Sequence, residues 1–253
     1  MSDADLAKRA LALLDLTDLA DDATEEGARE LCRRALSGPV TVAAVCLWPR
    51  FVATAREALG DSAVRIATVV NFPDGDTPIA PVIRETEEAL GAGADEIDLV
   101  LPWRALLVGQ ANTARAMVGN VKMRCGDKLL KVILETGEYP DLDKVREASE
   151  LAIAAGADFI KTSTGKTAHS ASIAAVRTML GVIALARRPI GIKPSGGIRT
   201  LVDAKAYLDL TDAMMGPGWA TPESFRFGAS GLYGALVEAI GGAATGTTPR
   251  GAY

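Results

Sequence analysis

A single histidine, His169, stands in 253 residues. A zinc or iron centre built on several imidazoles is therefore unavailable, as is the two-histidine zinc helix of a metalloprotease. Cysteine is almost as scarce. Cys32, Cys46 and Cys125 are odd in number and widely spaced, which gives neither a disulfide framework nor a zinc pattern. No apolar run reaches the ~18 residues that a membrane span needs, so no membrane partner is expected. The 27 Lys and Arg are outnumbered by 32 Asp and Glu, a net charge of −5, and form no basic block. Nucleic-acid binding, which needs clustered cations to displace counterions, is not expected either. The amino-terminal stretch Met1–Asp5 lacks the basic and apolar regions of a secretory signal. These absences predict a cytoplasmic protein without a tightly held transition metal.

What is present is ordinary globular composition, 49% hydrophobic and 23% charged. Short Val/Ile/Leu-rich runs alternate with loops and helix-patterned stretches along the chain. Strands are expected at Val40–Cys46, Arg65–Val70, Glu96–Val100, Leu129–Leu134, Asp158–Lys161, Ile190–Lys193, Ala213–Met215 and Phe225–Gly228. Two helices, about Ala4–Leu14 and Thr24–Leu36, are expected before the first of them. Thr77-Pro78 reads as a helix cap followed by proline at the first helical position. Asp141 reads as the cap of a helix ending at Gly156. Strands alternating with helices imply parallel pairing through right-handed crossovers, and eight such pairs fit a closed (β/α)8 barrel with additional N-terminal helices. No linker marks a boundary, so residues 1–253 are expected to form one domain, with 241–253 a mobile Gly/Thr-rich tail.

An internal repeat points at chemistry. Gly93-Ala94-Asp95-Glu96-Ile97-Asp98 matches Gly156-Ala157-Asp158-Phe159-Ile160-Lys161. If Ile97 and Ile160 face outward, strand alternation turns Asp98 and Lys161 into the barrel near the carboxyl ends of their strands, where barrels do their chemistry. Lys193 ends the next strand after that of Lys161. Desolvation and a second ammonium nearby would lower the pKa of one of the two amines, and a neutral amine can attack a carbonyl to form an imine. Position alone does not say which lysine is the nucleophile. Lys131, lower in the barrel, needs a partner such as Asp98, Glu96 or Asp15. By alternation Lys131 and Glu135 face the same way. Cys46 is open to alkylation by an unsaturated aldehyde if it lines the mouth. His169, Trp48, Trp103 and Trp219 are expected at the surface or rim.

Two glycine-rich turns follow late strands: Pro194-Ser195-Gly196-Gly197-Ile198-Arg199-Thr200 and Phe227-Gly228-Ala229-Ser230-Gly231. Glycines before a helix let backbone N–H groups approach an anion. With Arg199 and Lys166 nearby, they point to a phosphorylated small molecule. Gly165-Lys166-Thr167 lacks the upstream glycine of a nucleotide-binding P-loop, since Ile160 occupies that position.

The chain resembles the deoxyribose-phosphate aldolase family along nearly its whole length. The matching stretches include Ala44–Phe51, Gly93–Val100, Lys131–Glu138, Phe159–Lys166, Gly191–Thr200 and Arg226–Ser230. The resemblance implies a barrel that reversibly cleaves 2-deoxyribose 5-phosphate to acetaldehyde and glyceraldehyde 3-phosphate without metal or cofactor. It implies that Lys161 carries the Schiff base, that Lys193 and Asp98 move protons, and that Asp15, Thr17, Cys46 and Lys131 belong to the surrounding pocket. It also implies phosphate contacts at Gly165, Lys166, Gly196, Gly197, Ile198, Arg199, Gly228 and Ser230, and a terminal Tyr253 that assists proton transfer. Gly231 departs from members with serine there. A homodimer is one assembly left open. Competing expectations are another imine-forming aldolase, acting on a ketose phosphate or keto-acid, and a sugar-phosphate binder without turnover.

Overall fold

The computed structural model describes residues 1–241 of the 253. Gly241 is the last of them, so Tyr253 and the rest of the expected 241–253 tail lie outside the described residues.

Helix α1 (Asp3–Ala12) leads into β1 (Leu14–Asp18), followed by α2 (Glu25–Ser37), β2 (Ala44–Leu47), α3 (Val52–Leu59), β3 (Arg65–Val70), α4 (Ile79–Gly91) and β4 (Glu96–Val100). Then come α5 (Trp103–Leu107), α6 (Ala111–Cys125), β5 (Leu129–Ile133), α7 (Leu142–Ala154), β6 (Phe159–Lys161), α8 (Ile173–Ala184) and β7 (Gly191–Lys193). The last elements are α9 (Leu201–Met215), β8 (Phe227–Ala229) and α10 (Leu232–Ala239). All strand pairs are parallel, in the order β7-β6-β5-β4-β3-β2-β1-β8. Bridges between Ile192 and Phe225 and between Ser195 and Gly228 join β7 to the β8 segment and close the (β/α)8 barrel.

Two expected elements are corrected. Leu14–Asp18 is a strand, so one helix rather than two precedes the barrel, and α2 is already a crossover. The Leu14–Asp18 run hides because its inward side chains, Asp15 and Thr17, are polar. Ala213–Met215 is the last turn of α9, not a strand. Its Met214 and Met215 pack on the core from the helix side. The two errors cancel in the count of eight. Thr77 is not a cap either: α4 starts at Ile79 with Pro78 at the cap position and no side-chain capping bond. Asp141 does cap α7, accepting from the Lys144 N–H at 2.8 Å. Thr200 and Asp203 close a reciprocal capping box on α9.

The apolar core lies between sheet and helices. Outward strand residues such as Val45, Ile66, Ile97, Leu130, Val132, Ile160 and Ile192 are fully buried there. The barrel interior is different. Small residues make room for long ones: a Cβ on Gly191 would lie 2.3 Å from the Phe159 ring, which fills the space. Into the remaining volume project seven charged side chains, all nearly inaccessible. No described helix is long and apolar enough to cross a membrane.

Candidate active site

The register places the key strand ends side by side. Asp98 on β4 pairs with Lys131 on β5, and Lys161 on β6 pairs with Lys193 on β7. Parallel pairing points paired residues to the same face, so all four side chains enter the barrel together. Lys161 Nζ donates to Asp98 Oδ2 at 2.9 Å, and Lys193 Nζ donates to the same oxygen at 2.7 Å. Lys193 has a second anion, Asp15 Oδ2, at 2.6 Å. Lys131 has three carboxylates: Glu96 at 2.5 Å, Asp98 Oδ1 at 2.9 Å and Asp15 at 3.7 Å. All three partners expected for Lys131 are therefore present.

The three amines differ in consequence. Burial pushes the Lys161 pKa down; Asp98 opposes the shift and the Lys193 ammonium adds to it. Burial outranks cationic crowding, and both act in the expected direction. Burial would depress Lys193 also, but Asp15 and Asp98 outweigh it and raise its pKa. Lys131 is likewise raised by Asp98, Glu96 and Asp15 against the effect of burial. For Asp98, burial works upward, yet the ammonium groups of Lys131, Lys161 and Lys193 hold its pKa well below the ordinary carboxylate range. The arrangement thus has one amine biased toward neutrality beside two biased toward the charged form.

Cys46 is fully buried on β2, level with Thr17 and Ala67, in an apolar patch with Leu19 and Val69. Burial raises the pKa of its thiol. That lowers its reactivity in the resting protein. Thr17 Oγ1 donates to the Asp15 carbonyl within β1 at 2.7 Å. Glu135, just past the end of β5 and left-handed at φ 60°, makes none of the ion pairs of the cluster. Its buried carboxylate instead accepts from the Thr164 N–H at 3.2 Å and Thr167 Oγ1 at 3.3 Å, anchoring the loop that carries Lys166.

The expected phosphate residues gather where three loops meet above the carboxyl ends of β6, β7 and β8. Gly165, Gly196 and Gly197 all have positive φ, which only glycine adopts without strain. A Cβ on Gly196 would lie 3.4 Å from the Gly165 Cα, and one on Gly231 would lie 3.9 Å from Arg199 Cγ. Thr162 and Ser195 tie the first two loops through Ser195 N–H to Thr162 Oγ1 at 2.9 Å. Lys166 Nζ lies 2.9 Å from the exposed Asp21 carboxylate. Ile198 is buried, and Ser230 sits just ahead of α10. Gly228 is placed differently. Its N–H is committed to the Pro194 carbonyl at 2.9 Å, and a Cβ there would meet Lys193 Cε at 2.9 Å. Its position serves the seating of Lys193. His169 is exposed, and Trp219 lies beyond α9 rather than after a strand.

Two residues of the cluster do more than was expected of them. Glu96 was expected only as one of three partners for Lys131. Arg226 appeared only inside a matching stretch. Arg226 Nη1 donates to Asp15 Oδ1 at 2.6 Å and Nη2 to Glu96 Oε1 at 2.9 Å. Alternation from the inward Gly228 was the available signal for it. A cavity of about 350 Å³ opens at the opposite, amino-terminal end of the barrel, lined by Arg65, Asp95, Lys128, Glu223, Glu96 and Arg226. It reaches the same charged cluster from below. Among the described residues, no three His, Cys, Asp or Glu side chains form a metal-holding group.

Comparison with known proteins now adds its part. Residues 9–230 match the model of the DeoC/LacD family aldolase. The chain is 51% identical over 234 residues to a deoxyribose-phosphate aldolase of Agrobacterium fabrum, covering 92% of this chain and 90% of that one. Among solved structures, a candidate deoxyribose-phosphate aldolase of Toxoplasma gondii ME49 superposes with a TM-score of 0.86 at 27% identity, covering 94% and 95% of the two chains. The deoxyribose phosphate aldolase of Aeropyrum pernix, described as tetrameric, gives 0.75 at 27% identity over 95% and 92%.

Proposed function

The chain belongs to the DeoC/LacD family of aldolases, and from that premise we propose that it reversibly cleaves 2-deoxyribose 5-phosphate to acetaldehyde and glyceraldehyde 3-phosphate through an imine on Lys161. The observation that carries this is the shared oxygen at the mouth. Lys161 and Lys193 both donate to Asp98 Oδ2, but only Lys193 has a second carboxylate. The proton is therefore better held on Lys193, and Lys161 is the amine with a free electron pair.

Neutral Lys161 attacks C1 of the open-chain sugar and gives a carbinolamine. Lys193, oriented by Asp98 and Asp15, supplies the proton with which water leaves. The protonated imine then draws electrons as the C2–C3 bond breaks, since the products carry two and three carbons. The O3 proton must be taken up as glyceraldehyde 3-phosphate forms, and the enamine left on Lys161 is protonated at its terminal carbon and hydrolysed. The Gly165–Lys166, Gly196–Arg199 and Ser230 loops would hold the phosphate by N–H groups and two cationic side chains. Tyr253, outside the described residues, stays a proposal on resemblance alone, as does a cytoplasmic location.

Borohydride added with substrate tests the reading. Inactivation with the reduced adduct mapped to Lys161 is expected. An adduct on Lys193, or none, would overturn it.

A further inference from the structure

We propose that Arg226 is a positioning residue that governs whether the Lys161 amine keeps its proton, acting from the amino-terminal end of the barrel through Asp15 and Glu96. The inference rests on Lys161 being the reactive amine and deepens that reading.

The interior holds four basic side chains, Lys131, Lys161, Lys193 and Arg226, and three carboxylates, Asp15, Glu96 and Asp98. Every one is at most 3% exposed. With all seven ionised, the cluster carries one positive charge in excess among groups that are almost inaccessible to water. Loss of one proton balances it. Arg226 cannot be the donor, since a guanidinium does not deprotonate in proteins. Lys131 and Lys193 touch three and two carboxylates, whereas Lys161 touches one that it shares. The vacancy falls on Lys161.

Two other titratable groups face Lys161 and neither forms an ion pair with the seven. Cys46 faces it from β2, where burial raises the pKa of its thiol, and Glu135 faces it from the loop after β5, with its carboxylate held by the Thr164 N–H and Thr167 Oγ1. From β3 the neighbours are apolar, Ala67 and Val69. Gly228 faces the site from β8 and has no side chain. Arg226 is thus the fixed cation that makes the count uneven. Its Nε–H donates to the Pro222 carbonyl at 2.5 Å, and its guanidinium carbon stands 5.8 Å from the Phe159 ring centre, so it is held away from the mouth.

The test is competitive acetylation of the substrate-free protein with acetic anhydride across pH, read at Lys161 by peptide mass spectrometry. It is paired with the acid limb of kcat/KM. In R226Q the Lys161 midpoint should rise by about one pH unit or more, a roughly tenfold smaller neutral fraction at a given pH. R226K should stay near the unsubstituted protein. The double variant R226Q/E96Q removes one charge of each sign and should return the midpoint toward its original value. A mere packing role for Arg226 predicts no such return. An unmoved midpoint in R226Q, an R226K shift as large as that of R226Q, or a double variant identical to R226Q overturns the proposal. If circular dichroism shows R226Q unfolded, E96Q alone decides: a lower midpoint supports the idea and an equal or higher one overturns it. Acetylation needs no turnover. Failure of the aldolase reading would appear separately, as missing borohydride trapping on Lys161 in the unsubstituted protein.

Discussion

Lys131 at the floor of the barrel and Lys161 at its mouth are both buried lysines inside one sheet, yet their proton affinities move in opposite directions. Burial acts on both in the same sense. The difference lies in anions within reach: three for Lys131, one shared oxygen for Lys161. A barrel interior therefore does not depress an amine by being dry alone. It does so where carboxylates have been used up elsewhere.

The sharpest way to break this contrast is to remove each lysine. Lys161→Ala should lower turnover by about 10⁴-fold or more while leaving the fold intact, because a neutral amine leaves no stranded partner. Steady-state rates and a thermal melt measure the two effects; near-normal turnover would end the assignment. Lys131→Met should do the opposite. It strips Glu96 and Asp98 of a counter-ion and should cost about 3–5 kcal/mol of stability, read by urea unfolding. A loss below about 1 kcal/mol, the scale of a surface ion pair, would mean that the floor is not an ionic brace. A smaller effect is expected from Gly228→Ala. A methyl there meets Lys193 Cε at 2.9 Å and Ser195 Cβ at 2.7 Å, so the proton-holding amine must move. A displacement near 1 Å should slow kcat by about 10²-fold. A change confined to KM would favour a phosphate-binding role for Gly228 instead.

How much of this was legible depended on which side of the strand carried the signal. Asp98 and Lys161 could be paired from their matching GAD stretches, and Lys193 from its strand end. Parallel strands with outward Ile and Val read clearly as strands. Leu14–Asp18 did not, because Asp15 and Thr17 face a charged interior and break the apolar run that betrays a buried strand. Ala213–Met215 misled for the converse reason: three apolar residues closing an amphipathic helix look like a short strand. Arg226 and Glu96 lie 130 positions apart, and nothing local reports that they meet.

The single oxygen that receives both mouth amines bears on the course of the reaction. At rest, with Lys161 neutral, cations and anions inside the sheet are matched. Formation of the iminium with the proton given up by Lys193 keeps cations and anions matched and moves one positive charge from Lys193 to the Lys161 nitrogen. Electrons released as the carbon–carbon bond parts neutralise the iminium nitrogen, and uptake of the O3 proton by Lys193 returns the positive charge to that amine. The pair that shares one oxygen thus passes a single positive charge back and forth, and the barrel interior never has to bury an additional one.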